Sequence, residues 1–469
     1  MSAQSKSPKL IGTVTLALMV LAMAAPVGVV VGIVPLVIGY GNGIGAPGMF
    51  ILVAVILATF SVGFAAMSRS VRTRGAFFAY IGAGLGERAG MAAGGVALGA
   101  YAILTIYVVA QFGYYLHNTL LELGIDVHWL ALSLLCLLLV WLLSRRGTRE
   151  SAVVTASILL SELFILLVLN IGVLIVRGPA SYPLESFSPA EVFSGAPGFA
   201  LALVFLSFIG FEVTAVFRDH VKNPDRTIGR ATLLAVTLIG LVYALSAWSG
   251  IAGVGAEAVV AMTQGPNAGL LMFDVANDNV GAWAGVTLRV IMLVSVFATI
   301  IAVFNTSSQY VFNVASTFGT NPLGRVHAKY RSPANAGAAL MIFSALVLGA
   351  CALFGLDPYA DVAALLGVLG AVGVIVVQVA CVVAIFVHFR RRRDRRVWTT
   401  VLSPMVAGVA MLASLVIILS YYADLSGATS LIATWSPMLF VVIAGVGWIL
   451  GKGRTLTPAD DEKVVVEKI

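Results

Sequence analysis

Apolar runs about as long as a bilayer is thick recur along the whole chain, separated by short breaks rich in charged residues or in Gly, Pro and Asn. Reading the runs between breaks predicts twelve helices, over about 12–38, 47–67, 91–117, 129–143, 151–176, 196–217, 230–253, 281–316, 335–355, 361–388, 401–421 and 435–450. The first and eighth exceed what a bilayer needs, so each is expected to tilt, break or extend beyond the membrane. Tails remain at 1–11 and 451–469, and no stretch of ordinary composition is long enough for a soluble domain. The pattern is that of an all-α membrane protein with twelve transmembrane helices.

The polar breaks alternate in charge. One set holds Lys6 and Lys9, Arg69 to Arg88, Arg145 to Arg149, Arg218 to Arg230, Arg325 to Arg331, Arg390 to Arg396, and Lys452 to Lys468, which together carry 26 of the 28 Lys and Arg residues. The other set holds Glu122, Asp126, Glu185, Glu191, Glu257, Asp274, Asp278, Asp357, Asp361 and Asp424. The positive-inside rule then places both termini in the cytoplasm of a multi-pass protein of the cytoplasmic (inner) membrane. The net charge of +7 is thereby explained without nucleic acid. The Arg390 cluster reads as a topology anchor, with contact to anionic lipid as the sharper alternative.

Composition agrees: 60% of the 469 residues are hydrophobic and 10% charged, at a mean hydropathy of +1.02. A soluble domain carries about a quarter charged residues. Cys136, Cys351 and Cys381 sit in apolar runs with no partner at metal-ligand spacing, so neither a disulfide framework nor a zinc site is implied, and no cofactor is expected. Ala22-Met23-Ala24 has the small-x-small form of a signal-peptidase site. The run stays apolar through Ile38, which suits an uncleaved first span.

Two spans carry the signals of discontinuous helices. In span one, Ala24-Ala25-Pro26-Val27-Gly28 sets a residue without a backbone donor two positions before one without a side chain. In span six, Ser207-Phe208-Ile209-Gly210-Phe211-Glu212 sets a glycine and an acid near the middle of an apolar run. Irregular backbone at that depth is tolerated only inside protein or against a cavity. Breaks five helices apart mark a transporter site at the midplane between two inverted halves, 12–176 and 196–388, with 401–450 appended. Either break alone also fits a simple kink.

The motifs resemble the amino acid, polyamine and organocation (APC) transporter superfamily along nearly the whole chain. The most specific stretch is Phe208-Ile-Gly-Phe-Glu212 followed by Val221-Lys-Asn-Pro224-Asp-Arg-Thr-Ile-Gly-Arg-Ala231. Gly75-Ala-Phe-Phe-Ala-Tyr80 before span three, Gly147-Thr-Arg-Glu-Ser-Ala152 before span five and Asn321-Pro-Leu-Gly-Arg-Val-His327 after span eight add to it, all in family order. The resemblance implies a leucine-transporter fold, a 5+5 inverted repeat plus two extra helices. Three departures stand out. The first-span break is Ala25-Pro26-Val27-Gly28 where the family has more glycine, so one donor for a substrate carboxylate is lost. The family's acidic pair after span six is Asp219-His220, and Gln309 replaces a basic residue in span eight.

Glu162 lies about 11 residues into span five, roughly 17 Å deep at 1.5 Å per residue. An ionised side chain there costs on the order of 2.5–3.5 kcal/mol, so it must face protein, be paired, or hold a proton. By the resemblance it stands where some proton-coupled relatives carry a lysine. Three roles fit it: proton coupling, a protonated structural carboxyl, or contact with a substrate ammonium or a cation. Glu212 matches the family's glutamate, implied to gate or couple; the alternative is a carboxylate capping freed N–H groups. Arg289 either snorkels outward or pairs with an intramembrane glutamate. Span eight offers Thr306, Ser307 and Ser308 as possible sodium ligands, by analogy with sodium-driven relatives, or as packing hydroxyls. Tyr101, Tyr107 and Gln111 are spaced to line a cavity, while Tyr114 and Tyr115 read as interfacial anchors.

These features describe a secondary transporter, not an enzyme, that moves an amino acid or small organic amine, with proton coupling expected and sodium or potassium transport on the same fold as the alternative. Ala25, Pro26, Val27, Gly28, Tyr107, Ser207, Phe208, Ile209, Gly210 and Phe211 are the expected substrate-site residues, Phe208 and Phe211 acting as aromatic gates. A membrane enzyme would carry paired Asp motifs, His-rich metal spacing or a Ser/Lys or Ser/His set, and a channel a repeated filter sequence; the sequence holds none of these.

Overall fold

The computed structural model describes residues 11–71, 76–146, 152–212, 214, 221–265, 267–318, 321–327, 330, 332–422 and 434–453. The described residues are built from helices, the sole strand-like feature among them being an isolated bridge between Ile11 and Val221. The principal helices are α1 (Thr13–Met23), α2 (Pro26–Gly32), α3 (Ala46–Ser70), α4 (Ala76–Leu85), α5 (Glu87–Glu122), α6 (Trp129–Arg145), α7 (Ala152–Arg177) and α8 (Pro197–Ser207). They continue as α9 (Pro224–Val254), α10 (Ala256–Thr263), α11 (Leu271–Asn279), α12 (Ala282–Ser316), α13 (Ala334–Leu353), α14 (Ala364–Arg391), α15 (Ser403–Ser420) and α16 (Met438–Leu450).

Every predicted span contains a helix. Nine helical stretches among the described residues are long and apolar enough to cross a membrane, while α6, α8 and α16 are shorter apolar helices. The chain is a multi-pass membrane protein. The extra length of the two long spans resolves differently: the first breaks after Met23, whereas the eighth is the unbroken 35-residue helix α12.

Proline sits in the first turn of α2, α3, α8, α9 and α15, where its missing N–H would have had no partner. Inside the bundle, small residues let backbones approach. A Cβ added to Gly240 on α9 would lie 2.5 Å from Ala54 Cβ on α3, so only glycine permits that crossing. Helix α7 shows how the sequence sorts its faces. Leu160, Phe164, Leu167 and Ile171 are exposed at helical spacing, a lipid-facing stripe, while Glu162, Ile165, Leu169 and Val173 are buried.

Tyr114 and Tyr115 correct the expectation of interfacial anchors, because both are buried. Tyr114 stacks on Tyr359 at 4.9 Å, and the Tyr115 hydroxyl donates to the carbonyls of Val31 (3.0 Å) and Gly269 (3.1 Å). A buried phenol needs such partners, and here they pin α5 to α2. Asp219 and His220 lie outside the described residues.

A candidate substrate site between two broken helices

The first break follows from one residue. Proline disfavours the helical conformation of the residue before it, and Ala25 accordingly turns left-handed (φ 46°, ψ 68°) at a cost of about 1–2 kcal/mol for a residue with a Cβ. Pro26 then opens α2, leaving the N–H groups of Val27 and Gly28 in its first turn without intrahelical acceptors. On the α1 side, the Tyr243 hydroxyl donates to the freed Ala24 carbonyl at 2.9 Å. That tyrosine, fully buried on α9, braces the break from behind.

The second break follows α8. Phe208 and Ile209 leave the helix, and Gly210 takes φ 114°, a conformation side-chain-bearing residues rarely adopt. Glu212 turns back so that its Oε2 accepts the Gly210 N–H at 3.0 Å, while its Oε1 accepts the Tyr101 hydroxyl at 2.5 Å. The carboxylate therefore caps the broken helix and ties it to α5. A Cβ built on Gly210 would stand 3.7 Å from Met23 Cβ, so the two breaks face each other.

Between them lies a cavity of about 80 Å³. Ala25 and Gly28 line it from the first break, Ser207 and Ile209 from the second, Tyr107 and Gln111 from α5, and Val296 and Thr299 from α12. The remaining wall is aliphatic or Met23, and among the described residues no carboxylate, ammonium, guanidinium or imidazole faces the space. Gln111 is 3% exposed, and its Nε2 has no hydrogen-bond partner among the described residues.

Of the expected substrate residues, Pro26, Val27, Phe208, Gly210 and Phe211 do not line this cavity. Phe208 packs edge-on against Tyr243 at 6.1 Å, and Phe211 packs on Phe60 (5.9 Å) and Phe64 (6.3 Å) of α3. Both rings are fully buried among neighbouring helices and do not cover the cavity in this conformation.

Glu162, 1% exposed, lines a second cavity of about 210 Å³ between α1, α7 and α12. Ser295 and Thr299 line that space with it. Met23 and Thr299 border both cavities, so a single layer of side chains separates Glu162 from the central space. Neither hydroxyl is among the residues expected from the sequence, where each stands alone in an apolar run and the polar cluster of α12 lies further on, at 305–309. Thr306, Ser307 and Ser308 line neither cavity: Thr306 donates to the Ala302 carbonyl (2.9 Å), and Ser307 reaches the Tyr101 carbonyl (2.8 Å) and Thr105 (2.9 Å), stitching α12 to α5. The Ser308 Oγ is buried beside Gly337 of α13.

Arg289 reaches outward. It pairs with Glu122 at the end of α5, and its guanidinium lies 4.7 Å from the Phe273 ring, so neither intramembrane glutamate is its partner.

A sequence model of the amino acid permease family matches residues 11–450. Among characterised proteins, the chain is 25% identical to the branched-chain amino acid permease of Lactococcus lactis over 41% of this chain and 46% of that one. It is 28% identical to the L-methionine/branched-chain amino acid exporter of Escherichia coli over 40% and 44%, and 29% identical to cationic amino acid transporter 5 of Arabidopsis thaliana over 39% and 30%. These matches thus span less than half the length of each relative. With the family match running through both breaks and nearly every helix, the chain belongs to the amino acid permease family, within the APC transporter superfamily.

Proposed function

We propose that this protein is a secondary active transporter that carries a small neutral amino acid across the cytoplasmic membrane by alternating access, on a twelve-span leucine-transporter fold with a 5+5 inverted repeat. The observation that carries the reading is the apposition of two broken helices across a shared cavity. The first-turn amides of α2 offer donors to a substrate carboxylate, and backbone carbonyls around Ile209 offer acceptors to its ammonium. The aliphatic wall and the lack of a facing charge favour a small aliphatic side chain, because an unpaired charge buried there would be heavily penalised. Two of the three relatives above are named for branched-chain substrates, which supports the same choice.

Proton coupling is assigned to Glu162, the buried carboxylate one side-chain layer from the substrate space. Proton gain and loss there would alter the packing of α1 against α7 and α12, the contacts that must change as the halves rock. Glu212 is assigned to gating, since it ties the second break to α5 without lining the cavity. The rival reading is sodium coupling, with Ser295, Thr299 and Glu162 supplying oxygens in place of Thr306, Ser307 and Ser308. Transport by rocking needs no covalent step, so no enzymatic activity is assigned.

The test is a thermal-shift screen of the purified protein against neutral, cationic and acidic amino acids and polyamines, with and without sodium, since a ligand bound to the folded state raises its apparent stability. Protection by leucine, valine or alanine alone is expected. Protection only by amines would overturn the neutral-substrate reading, and protection that requires sodium would favour the rival.

A further inference from the structure

The corner joining α14 to α15 holds Arg390, Arg391, Arg392, Arg393, Arg395 and Arg396, all exposed. A topology signal needs the charges and nothing more, yet this corner is geometrically built. Arg391 donates to the Gly84 carbonyl at the end of α4 (3.2 Å), and Arg392 donates to the Ser70 hydroxyl at the end of α3 (2.8 Å). Each guanidinium is thereby fixed while keeping further donors free. The one acid in the run, Asp394, is consumed by Arg396, with N···O distances of 2.7, 3.1 and 3.3 Å. Arg393 and Arg395 have no side-chain partner among the described residues.

Arg393 closes α14 at φ 51°, the left-handed position usually given to glycine or asparagine. Its N–H bonds the Arg390 carbonyl at 3.2 Å, and the Asp394 N–H bonds the Phe389 carbonyl at 3.2 Å. A side-chain-bearing residue in that conformation costs about 1–2 kcal/mol that glycine would not. Backbone strain of this kind persists where the surrounding structure over-determines it, here through the two hydrogen bonds that close the helix.

The chain turns directly from these charges into an apolar face. Trp398, Leu402, Met405 and Val409 are exposed by 46–69% and recur at helical spacing. Guanidiniums fixed by neighbouring helices, an exposed indole beside them and an aliphatic stripe running on from it match the parts of one molecule. We propose that this corner is a binding site for an anionic phospholipid, its phosphate held by the Arg391, Arg392, Arg393 and Arg395 side chains and an acyl chain lying along the Trp398 to Val409 stripe. The site lies apart from both cavities and is independent of the substrate.

The test counts lipid adducts on the full-length protein by native mass spectrometry with phosphatidylglycerol, phosphatidylcholine or soluble glycerol 1-phosphate. Phosphatidylglycerol is expected to bind and the other two to leave no adduct. Arg393→Gly removes one charge while relieving the left-handed strain, so its fold is secure, and it should weaken phosphatidylglycerol binding roughly fivefold. Adding Arg395→Gln should deepen the loss by a similar factor. Equal adducts with phosphatidylcholine, equal binding of glycerol 1-phosphate, or undiminished phosphatidylglycerol binding by the double variant would each overturn the proposal.

Discussion

The hydroxyl of Tyr243 donates a 2.9 Å hydrogen bond to the carbonyl of Ala24, the residue at which the first membrane helix stops. One side chain on α9 thus satisfies an acceptor that the left-handed turn at Ala25 leaves without an intrahelical donor. Tyr243→Phe leaves that buried carbonyl without this partner, at a cost of about 1–3 kcal/mol. The variant should melt at a lower temperature and transport more slowly; an unchanged melting curve would mean the break does not need its brace.

Gly28 is expected to set substrate size. A Cβ there would lie 3.3 Å from Val296 Cγ2 and 3.5 Å from Ala25 Cβ, at the wall of the central cavity. Gly28→Ala should therefore fold while discriminating by bulk, losing leucine before alanine. Competition binding with the two amino acids measures this; an equal loss for both would place the substrate elsewhere.

Tyr101 and Glu212 should affect turnover more than binding, since neither lines the cavity. Tyr101→Phe removes a hydrogen bond to a buried carboxylate, a contact worth about 1.5–3 kcal/mol. Comparing the dissociation constant with the maximal uptake rate separates the two effects. A large fall in affinity at unchanged maximal rate would contradict the gating role.

The hydroxyls of α12 divide into two predicted classes. Ser307→Ala should lower stability by detaching α12 from the Tyr101 carbonyl and Thr105, with ion dependence unaltered. Thr299→Val, which keeps the shape but removes the hydroxyl bordering both cavities, should change the dependence of uptake on the driving ion. Uptake assayed against pH and sodium for both variants distinguishes them.

The all-helical, many-span character and the location of both breaks were legible because they depend on run length and on residues, Pro26 and Gly210, whose backbone chemistry is local. Which side chains face the cavity was not. Phe208 and Phe211 flank the second break in sequence, yet the turn at Gly210 sends both rings into neighbouring helices and leaves Ser207 and Ile209 at the surface of the space. Ser295 and Thr299 carry no local signal, since an isolated hydroxyl in an apolar helix acquires meaning only from the helix packed against it. Tyr243 was invisible for the same reason.

The most direct test is uptake of labelled leucine into proteoliposomes under an imposed inward proton gradient, by the parent and by Glu162→Gln. Leucine is predicted to accumulate against its gradient in the parent, while the variant equilibrates leucine across the membrane without concentrating it. Absence of leucine entry in the parent, or equal accumulation by the variant, would contradict the account.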